Sequence, residues 1–250
     1  MTTQRPLYQR FAWAFDYVVP DASAGRVRRL ASLLRRHDVR PPARILDAGC
    51  GTGNYARALA RCGYTVVAID PSMALRATAR APRTRDGASG VSARGSADVS
   101  SRSRLRRRAL RGVLNDVLGD RARQAVCSTL GRALVPGGIL LINVRDWMRT
   151  AVRKHAEPVI ERAARADRGL LAFRSHTRPD PMRRRLVVRE QIRLTSARRD
   201  IAVANRVVMS CWTTAELRRR LRPAGVARVR LLPPSRVGLS RDRLFAIATR

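Results

Sequence analysis

The chain has 250 residues, is 45% hydrophobic and carries a formal net charge of +34, which is enough apolar material for one sizeable core and leads to the expectation of a single globular domain. No apolar stretch reaches the roughly 18 residues of a membrane span, and the first residues are polar and aromatic rather than signal-like, so a cytoplasmic protein without a membrane partner is expected. All but Lys154 of the 52 basic residues are arginine; phosphate binding gives no reason to avoid lysine whereas GC-rich codons do, so the charge argues only weakly for a nucleic-acid partner.

Leu7 to Val19 gathers Tyr8, Phe11, Trp13, Phe15 and Tyr17, nearly half of the aromatic residues, and reads as a helix packed on the core. Asp21 to His37 places Val27, Leu30, Leu33 and Leu34 on one helical face, and Val39 to Pro42 turns into a strand. Ala43 to Asn54 followed by Tyr64 to Asp70 then reads as strand, glycine turn, helix and a second, buried strand that ends in a carboxylate. Gly49, Gly51 and Gly53 let the backbone pass close to a ligand, and the amides of the following helix favour polar or anionic groups. An acid about 20 residues on, Asp70, can accept both hydroxyls of a ribose. Gly63 closes the helix Asn54 to Cys62, and Pro71-Ser72-Met73 opens the next one.

From Arg76 to Arg111 the chain has 11 arginines, two acids, Asp86 and Asp98, and no aromatic residue. Nothing in this interval reads as a strand, although a doubly wound sheet needs one or two here, and the composition is that of a solvated, disordered segment. Pattern returns at Gly112-Val113-Leu114-Asn115-Asp116. Arg121 to Leu134 reads as a helix, Leu134 to Gly138 as a turn, and Ile139 to Val144 as an apolar strand ending in Arg145-Asp146-Trp147. His155 to Ala166 is expected to be helical. Arg185 to Thr195 and Ile201 to Ser210 suggest an antiparallel hairpin with Ser196 to Asp200 as its turn. Thr213 and Glu216 fit a capping box before a helix that reaches about Leu221. Leu231-Leu232 and Leu244 to Ala248 supply closing strands. Cys50, Cys62, Cys127 and Cys211 have no metal-site spacing with His37, His155 or His176, so reduced thiols and no metal are expected.

The run Asp47-Ala48-Gly49-Cys50-Gly51-Thr52-Gly53, with Asp70 at the right distance, resembles the first motif of the class I S-adenosylmethionine (SAM) dependent methyltransferases of the small-molecule type. Leu134-Val135-Pro136-Gly137-Gly138 before an apolar strand resembles a second hallmark of that family. The resemblance covers roughly residues 5 to 75 and 111 to 250. It implies a Rossmann-like, doubly wound α/β fold with a mostly parallel seven-stranded sheet, an antiparallel last strand, N-terminal helices and an inserted hairpin. Residues 1–250 would form one domain, with an N-terminal helical cap over 1–40, a SAM-binding core over 41–147 and an acceptor-side part over 148–250. The cofactor would be SAM, held by Asp47, Ala48, Gly49, Cys50, Gly51 and Gly53 around its methionine half, by Asp70 at the ribose, by Met73, which reads equally as a core residue, beside the adenine, and by Pro71 and Gly112. Tyr8 and Phe11 become contacts from the capping segment, and Asp98 is the nearest candidate for an acid facing the adenine.

Methyl transfer from a sulfonium needs an in-line acceptor and exclusion of water more than a dedicated base. Catalytic candidates past the strand ends are Asn115, Asp116 and Asp146, with Trp147 beside them; Asp146 and Trp147 read equally as a helix cap and a core aromatic, and Trp212 reads as packing. The expected acceptor is a small molecule. The clusters Arg183-Arg184-Arg185 and Arg218-Arg219-Arg220 mark the alternative of an RNA substrate, without the interleaved aromatics of single-strand binders. A shift of reading frame offers another account of residues 76–111: read one nucleotide later, Leu105 to Leu110 can encode F-D-A-V-L-C, which resembles the family's fourth-strand motif. On that account the chain is a remnant that has lost part of the cofactor pocket.

Overall fold

The computed structural model describes residues 5–19, 24–80, 91–94 and 113–250. The aromatic N-terminal segment is not one helix: two 3-10 turns, Pro6–Tyr8 and Ala12–Ala14, lead into the short α1 (Phe15–Val18). Tertiary contacts override helical propensity here, because Leu7, Phe11, Ala14 and Val18 pack together against a sheet while Tyr8 reaches the other way to a carboxylate. Helix α2 (Ala24–Arg36) follows, burying Val27, Ala31, Leu33 and Leu34.

Strand β1 (Arg44–Ala48), helix α3 (Asn54–Arg61), strand β2 (Thr65–Ile69) and helix α4 (Met73–Arg80) realise the expected strand-turn-helix-strand unit, with β1 and β2 paired in parallel from Arg44 opposite Thr65 to Ala48 opposite Ile69. The helix after Asp70 runs on to Arg80, past the point where the apolar pattern fades. Strand β3 (Val91–Arg94) pairs in parallel with β2, Val66 opposite Val91. This corrects the expectation that no strand lies between Arg76 and Arg111. A four-residue strand needs only a ladder partner, and the exposed edge of β2 supplies one. Gly112, Asp98, and the frame-shifted stretch Leu105 to Leu110 lie outside the described residues.

After the 3-10 turn Val113–Asp116 come α5 (Asp120–Arg132), β4 (Ile139–Arg145) and α6 (Trp147–Ala156). The next elements differ most from expectation. Residues from His155 onward do not stay helical: Glu157-Pro158 ends α6, and β5 (Val159–Ala166), β6 (Gly169–Asp180), β7 (Arg185–Ser196) and β8 (Arg199–Ser210) form a four-stranded antiparallel sheet in that order. The expected hairpin is its β7–β8 half. Alanine and arginine in β5 favour helix locally, but every residue from Val159 to Ala166 is paired with β6, and the ladder prevails. Helix α7 (Thr214–Leu221), β9 (Arg228–Leu232) and β10 (Arg243–Thr249) complete the chain.

The other six strands form two three-stranded sheets among the described residues, ordered β1-β2-β3 and β4-β10-β9, rather than one continuous seven-stranded sheet. Strand β10 is antiparallel to both neighbours. The two sheets nevertheless act as one layer. Ile45, Val66 and Ala68 from the first and Ile139, Leu141 and Ile247 from the second share an apolar cluster with α2 and α3. Leu46 and Ala48 join Leu140, Ile142 and Ala246 in another, with α5 and α7. Period-two alternation thus sends neighbouring residues to opposite cores in both sheets.

The capping box at Thr213 is half made. The Glu216 amide donates to Thr213 Oγ1 at 3.2 Å, but the Glu216 carboxylate turns to Arg123 and Arg220. Gly131 on α5 approaches Ala224 so closely that an added Cβ would lie 2.4 Å from both its Cβ and its carbonyl oxygen. Gly131→Ala gains about 1 kcal/mol of helix propensity but overpacks against backbone, at about 1–3 kcal/mol or more. A net loss of about 1–2 kcal/mol in urea unfolding is expected, and an unchanged midpoint would show that α5 and the 222–224 turn separate freely.

Candidate active site

The turn after β1 wraps over the end of β2. The amides of Gly49 and Cys50 both donate to the Ile69 carbonyl, at 2.6 and 3.0 Å, and Gly51 N donates to Asp70 Oδ2 at 2.9 Å. Asp70 Oδ1 accepts from the Ser72 amide at 2.8 Å. One buried carboxylate therefore fixes the glycine turn and the start of α4 together. Burial pushes Asp70 up from the ordinary aspartate range, opposed by those amides and by Arg76. Gly51 and Gly53 hold φ of +55° and +78°, which a side chain adopts only with strain. A Cβ at Gly53 would also sit 2.9 Å from that of Ala79. Gly53 thus serves the packing of α3 on α4, and Gly51 faces the cleft.

The cleft, about 250 Å³, opens at the carboxyl ends of β1 and β2 and continues to the ends of β4 and β8. Of the residues singled out from sequence, Tyr8, Gly49, Cys50, Gly51, Asp70, Pro71, Asn115 and Asp116 line it. Asp47 and Ala48 are buried beneath the turn. Phe11 is buried in the cluster under the N-terminal segment and Met73 is 75% exposed, so neither lines the cleft. Asp146 does not line it either; its carboxylate caps α6 by accepting from the Arg149 amide at 3.0 Å. Trp147 packs against the cluster of Leu186, Val188, Val207 and Cys211. Trp212 is fully buried, as expected of a packing residue, and its indole donates to the Leu114 carbonyl.

Asn115 is engaged on both ends of its amide. Its Nδ2 donates to the Ser210 carbonyl at 2.8 Å and its Oδ1 accepts from the Arg145 amide at 3.3 Å, so it ties the 113–116 turn to β8 and β4. Asp116 accepts from the Tyr8 hydroxyl at 2.9 Å, and Arg5 donates to that same hydroxyl at 2.8 Å. Burial pushes the Tyr8 hydroxyl well above its usual range, so it stays a donor. Arg5 in turn makes a two-pronged pair with Glu190 of β7, one contact at 2.9 Å. Both partners are buried. The Thr52 hydroxyl donates to Asp16 at 2.6 Å, and the Ser72 hydroxyl donates to the Tyr8 carbonyl. The N-terminal segment is thereby a roof, hung from the antiparallel sheet and fastened to the glycine turn.

Arg5, Asp16, Asn143, Arg145, Met209 and Arg243 also line the cleft and were not foreseen from sequence. Arg5 precedes the aromatic run that was singled out and Asp16 lies within it, whereas the other four sit on strands whose alternation shows a face but not a destination. Cys50 lines the cleft as an inert thiol, since burial, with Asp47 and Asp70 nearby, pushes it far above its ordinary value. Among the described residues no group of His, Cys, Asp and Glu could hold a metal ion, and no helix is long and apolar enough to cross a membrane.

Residues 22–229 match a family described as methyltransferase domain. Over 78 residues the chain is 40% identical to the 23S rRNA (uracil(1939)-C(5))-methyltransferase RlmD of Aromatoleum aromaticum, a stretch that is 31% of this chain and spans only 17% of that enzyme. The fold is similar to that of the sugar N-methyltransferase KedS8 from Streptoalloteichus, with a TM-score of 0.73, 15% identity, and 97% and 92% of the two chains covered. It is also similar to that of the SAM-bound amino pentose methyltransferase CalS10 from Micromonospora echinaspora, with a TM-score of 0.69, 18% identity and 97% of each chain covered.

Proposed function

The chain belongs to the methyltransferase domain family, and from that premise we propose that it transfers the methyl group of SAM to a small-molecule acceptor bound under the N-terminal roof. The observation that carries this reading is the junction of the glycine turn with Asp70: a buried carboxylate at the tip of β2, already oriented by the Gly51 and Ser72 amides, beside a turn with backbone exposed to the cleft. The residues fit the cofactor. Asp70 keeps lone pairs for the two ribose hydroxyls, and Gly49 to Thr52 line the cleft where the methionine half would lie. When bound, SAM supplies a methyl group already activated by its sulfonium.

The chain's own task is then to hold the acceptor in line and keep water out. Leu7 and Phe11 anchor the roof on the antiparallel sheet, and the Phe15 ring lies over Gly51. In this reading Asp116 is the group that takes a proton from an acceptor N–H or O–H, while the Tyr8 hydroxyl holds one of its oxygens. Asn115 acts through the backbone it ties down. A roofed cleft of this size favours a small acceptor over RNA, and the sugar N-methyltransferase KedS8 offers a relative in fold for that class.

Calorimetric titration with SAM tests the reading. One-to-one binding with a cooperative thermal transition is expected, and absence of binding would favour a remnant that has lost the cofactor. Tyr8→Phe removes one hydrogen bond from Asp116. It is expected to lower kcat about 10-fold, the value of about 1.4 kcal/mol, while the KM for SAM moves less than about threefold. A KM for SAM that rises about 10-fold with kcat unchanged would place Tyr8 in cofactor binding instead.

A further inference from the structure

The wall of the cleft formed by β4 and β10 has a polarity that the cofactor reading does not use. Asn143, in the middle of β4, is fully buried and lines the cleft. Arg243 Nε donates to its Oδ1 at 2.9 Å, which settles the orientation of the amide: the oxygen faces the guanidinium and Nδ2 faces away from it. That Nδ2 has no hydrogen-bond partner. Buried side-chain donors are nearly always paired, so an unpaired one on a cleft wall points to something that binds there.

Arg145 stands two residues along the same strand and also lines the cleft. Its Nη1 lies 3.3 Å from Asp242 Oδ2, and the same oxygen takes Arg153 Nη2 at 3.0 Å. One carboxylate oxygen thus serves two guanidinium groups. The carboxylates of the cleft lie elsewhere, on the turn, the roof and β2, and are engaged there: Asp70 by two amides, Asp116 by Tyr8 and Asp16 by Thr52. Donors and positive charge collect on the β4–β10 wall. A sulfonium would be repelled by this wall, and an anion would be held by it.

We propose that the methyl acceptor carries an anionic group, a carboxylate or a phosphate, that docks on Asn143 Nδ2, Arg145 and Arg243 while its nucleophilic atom reaches the Asp116 side. The assignment rests on the reading that the glycine turn and Asp70 hold the cofactor. It makes Asn143 a specificity residue: an amide donor suits an oxyanion, and the isosteric carboxylate of Asn143→Asp would repel it and pair with Arg243 instead.

The experiment titrates inorganic pyrophosphate and, separately, malonate into protein saturated with S-adenosylhomocysteine at physiological salt. The two arms distinguish a phosphate from a carboxylate. Saturable one-to-one binding of one of them is expected, weakened at least about 10-fold in Asn143→Asp and in Arg243→Gln, with S-adenosylhomocysteine affinity held within about twofold in both variants. Absence of binding by both anions, or binding that both variants retain, would overturn the proposal, the latter because it reports the general arginine surface. Competition between the anion and S-adenosylhomocysteine would also overturn it, because the wall would then belong to the cofactor's own carboxylate. Failure of S-adenosylhomocysteine to bind is a failure of the cofactor reading, and the anion titration is then read on the free protein with the same two variants.

Discussion

Asp70→Ala is expected to weaken SAM binding by on the order of 100-fold, measured by calorimetry on folded protein. Three contributions act together. The ribose loses its acceptor, and the Gly51 and Ser72 amides lose theirs, so the turn after β1 is no longer tied to the start of α4. Hydrogen bonds to a charged group are worth about 1.5–3 kcal/mol each, and loss of one or two of these in the bound state gives roughly the stated factor. Burial raises the Asp70 carboxyl, so affinity should begin to fall on acidification at a higher pH than an ordinary surface aspartate would dictate, with its plateau near neutrality where the group is ionised. Binding within about threefold of the parent protein would show that Asp70 is only a turn clamp.

Arg5→Ala is expected to cost about 3–5 kcal/mol of stability. The Glu190 side chain is 1% exposed and that of Arg5 10%, and removing one partner of a buried pair strands the other as an uncompensated charge. For a chain of this size that corresponds to a fall of roughly 6–20 °C in Tm. The double variant Arg5→Leu with Glu190→Leu should recover much of the loss, because two apolar side chains avoid desolvating charge altogether. Although burial alone disfavours its charge, Tyr8 and Glu190 hold the Arg5 guanidinium above its ordinary range, so Arg5 itself stays charged. A double variant no more stable than Arg5→Ala alone would show that the roof, rather than the stranded carboxylate, sets the loss.

The glycine turn and its acid were legible in the sequence because their geometry is local. Three glycines and an acid about 20 residues away belong to one turn and one strand end, and the structure adds that Asp70 accepts from the Gly51 amide. The opposite wall was not legible, because it is assembled across long separations. Arg243 reaches Asn143 from 100 residues away, and Arg5 reaches Glu190 from 185. The antiparallel sheet was read only in half for a related reason: the alanines and arginines of β5 express no strand preference of their own, and only the ladder to β6 declares them. Asp146 and Met73 show the converse limit. Each occupies the sequence position where a functional residue is expected, yet one is used as a helix cap and the other projects into solvent.

The roof over the cleft has unequal fastenings. At Arg5 it is held by a two-pronged buried ion pair, whereas toward the glycine turn its fastenings include hydroxyl contacts from Thr52 and Ser72. Any ligand that enters or leaves beneath the roof must therefore pass a segment fixed along its length, by charge at Arg5 and by hydroxyl contacts and the apolar packing of Ala14 and Val18 nearer α1.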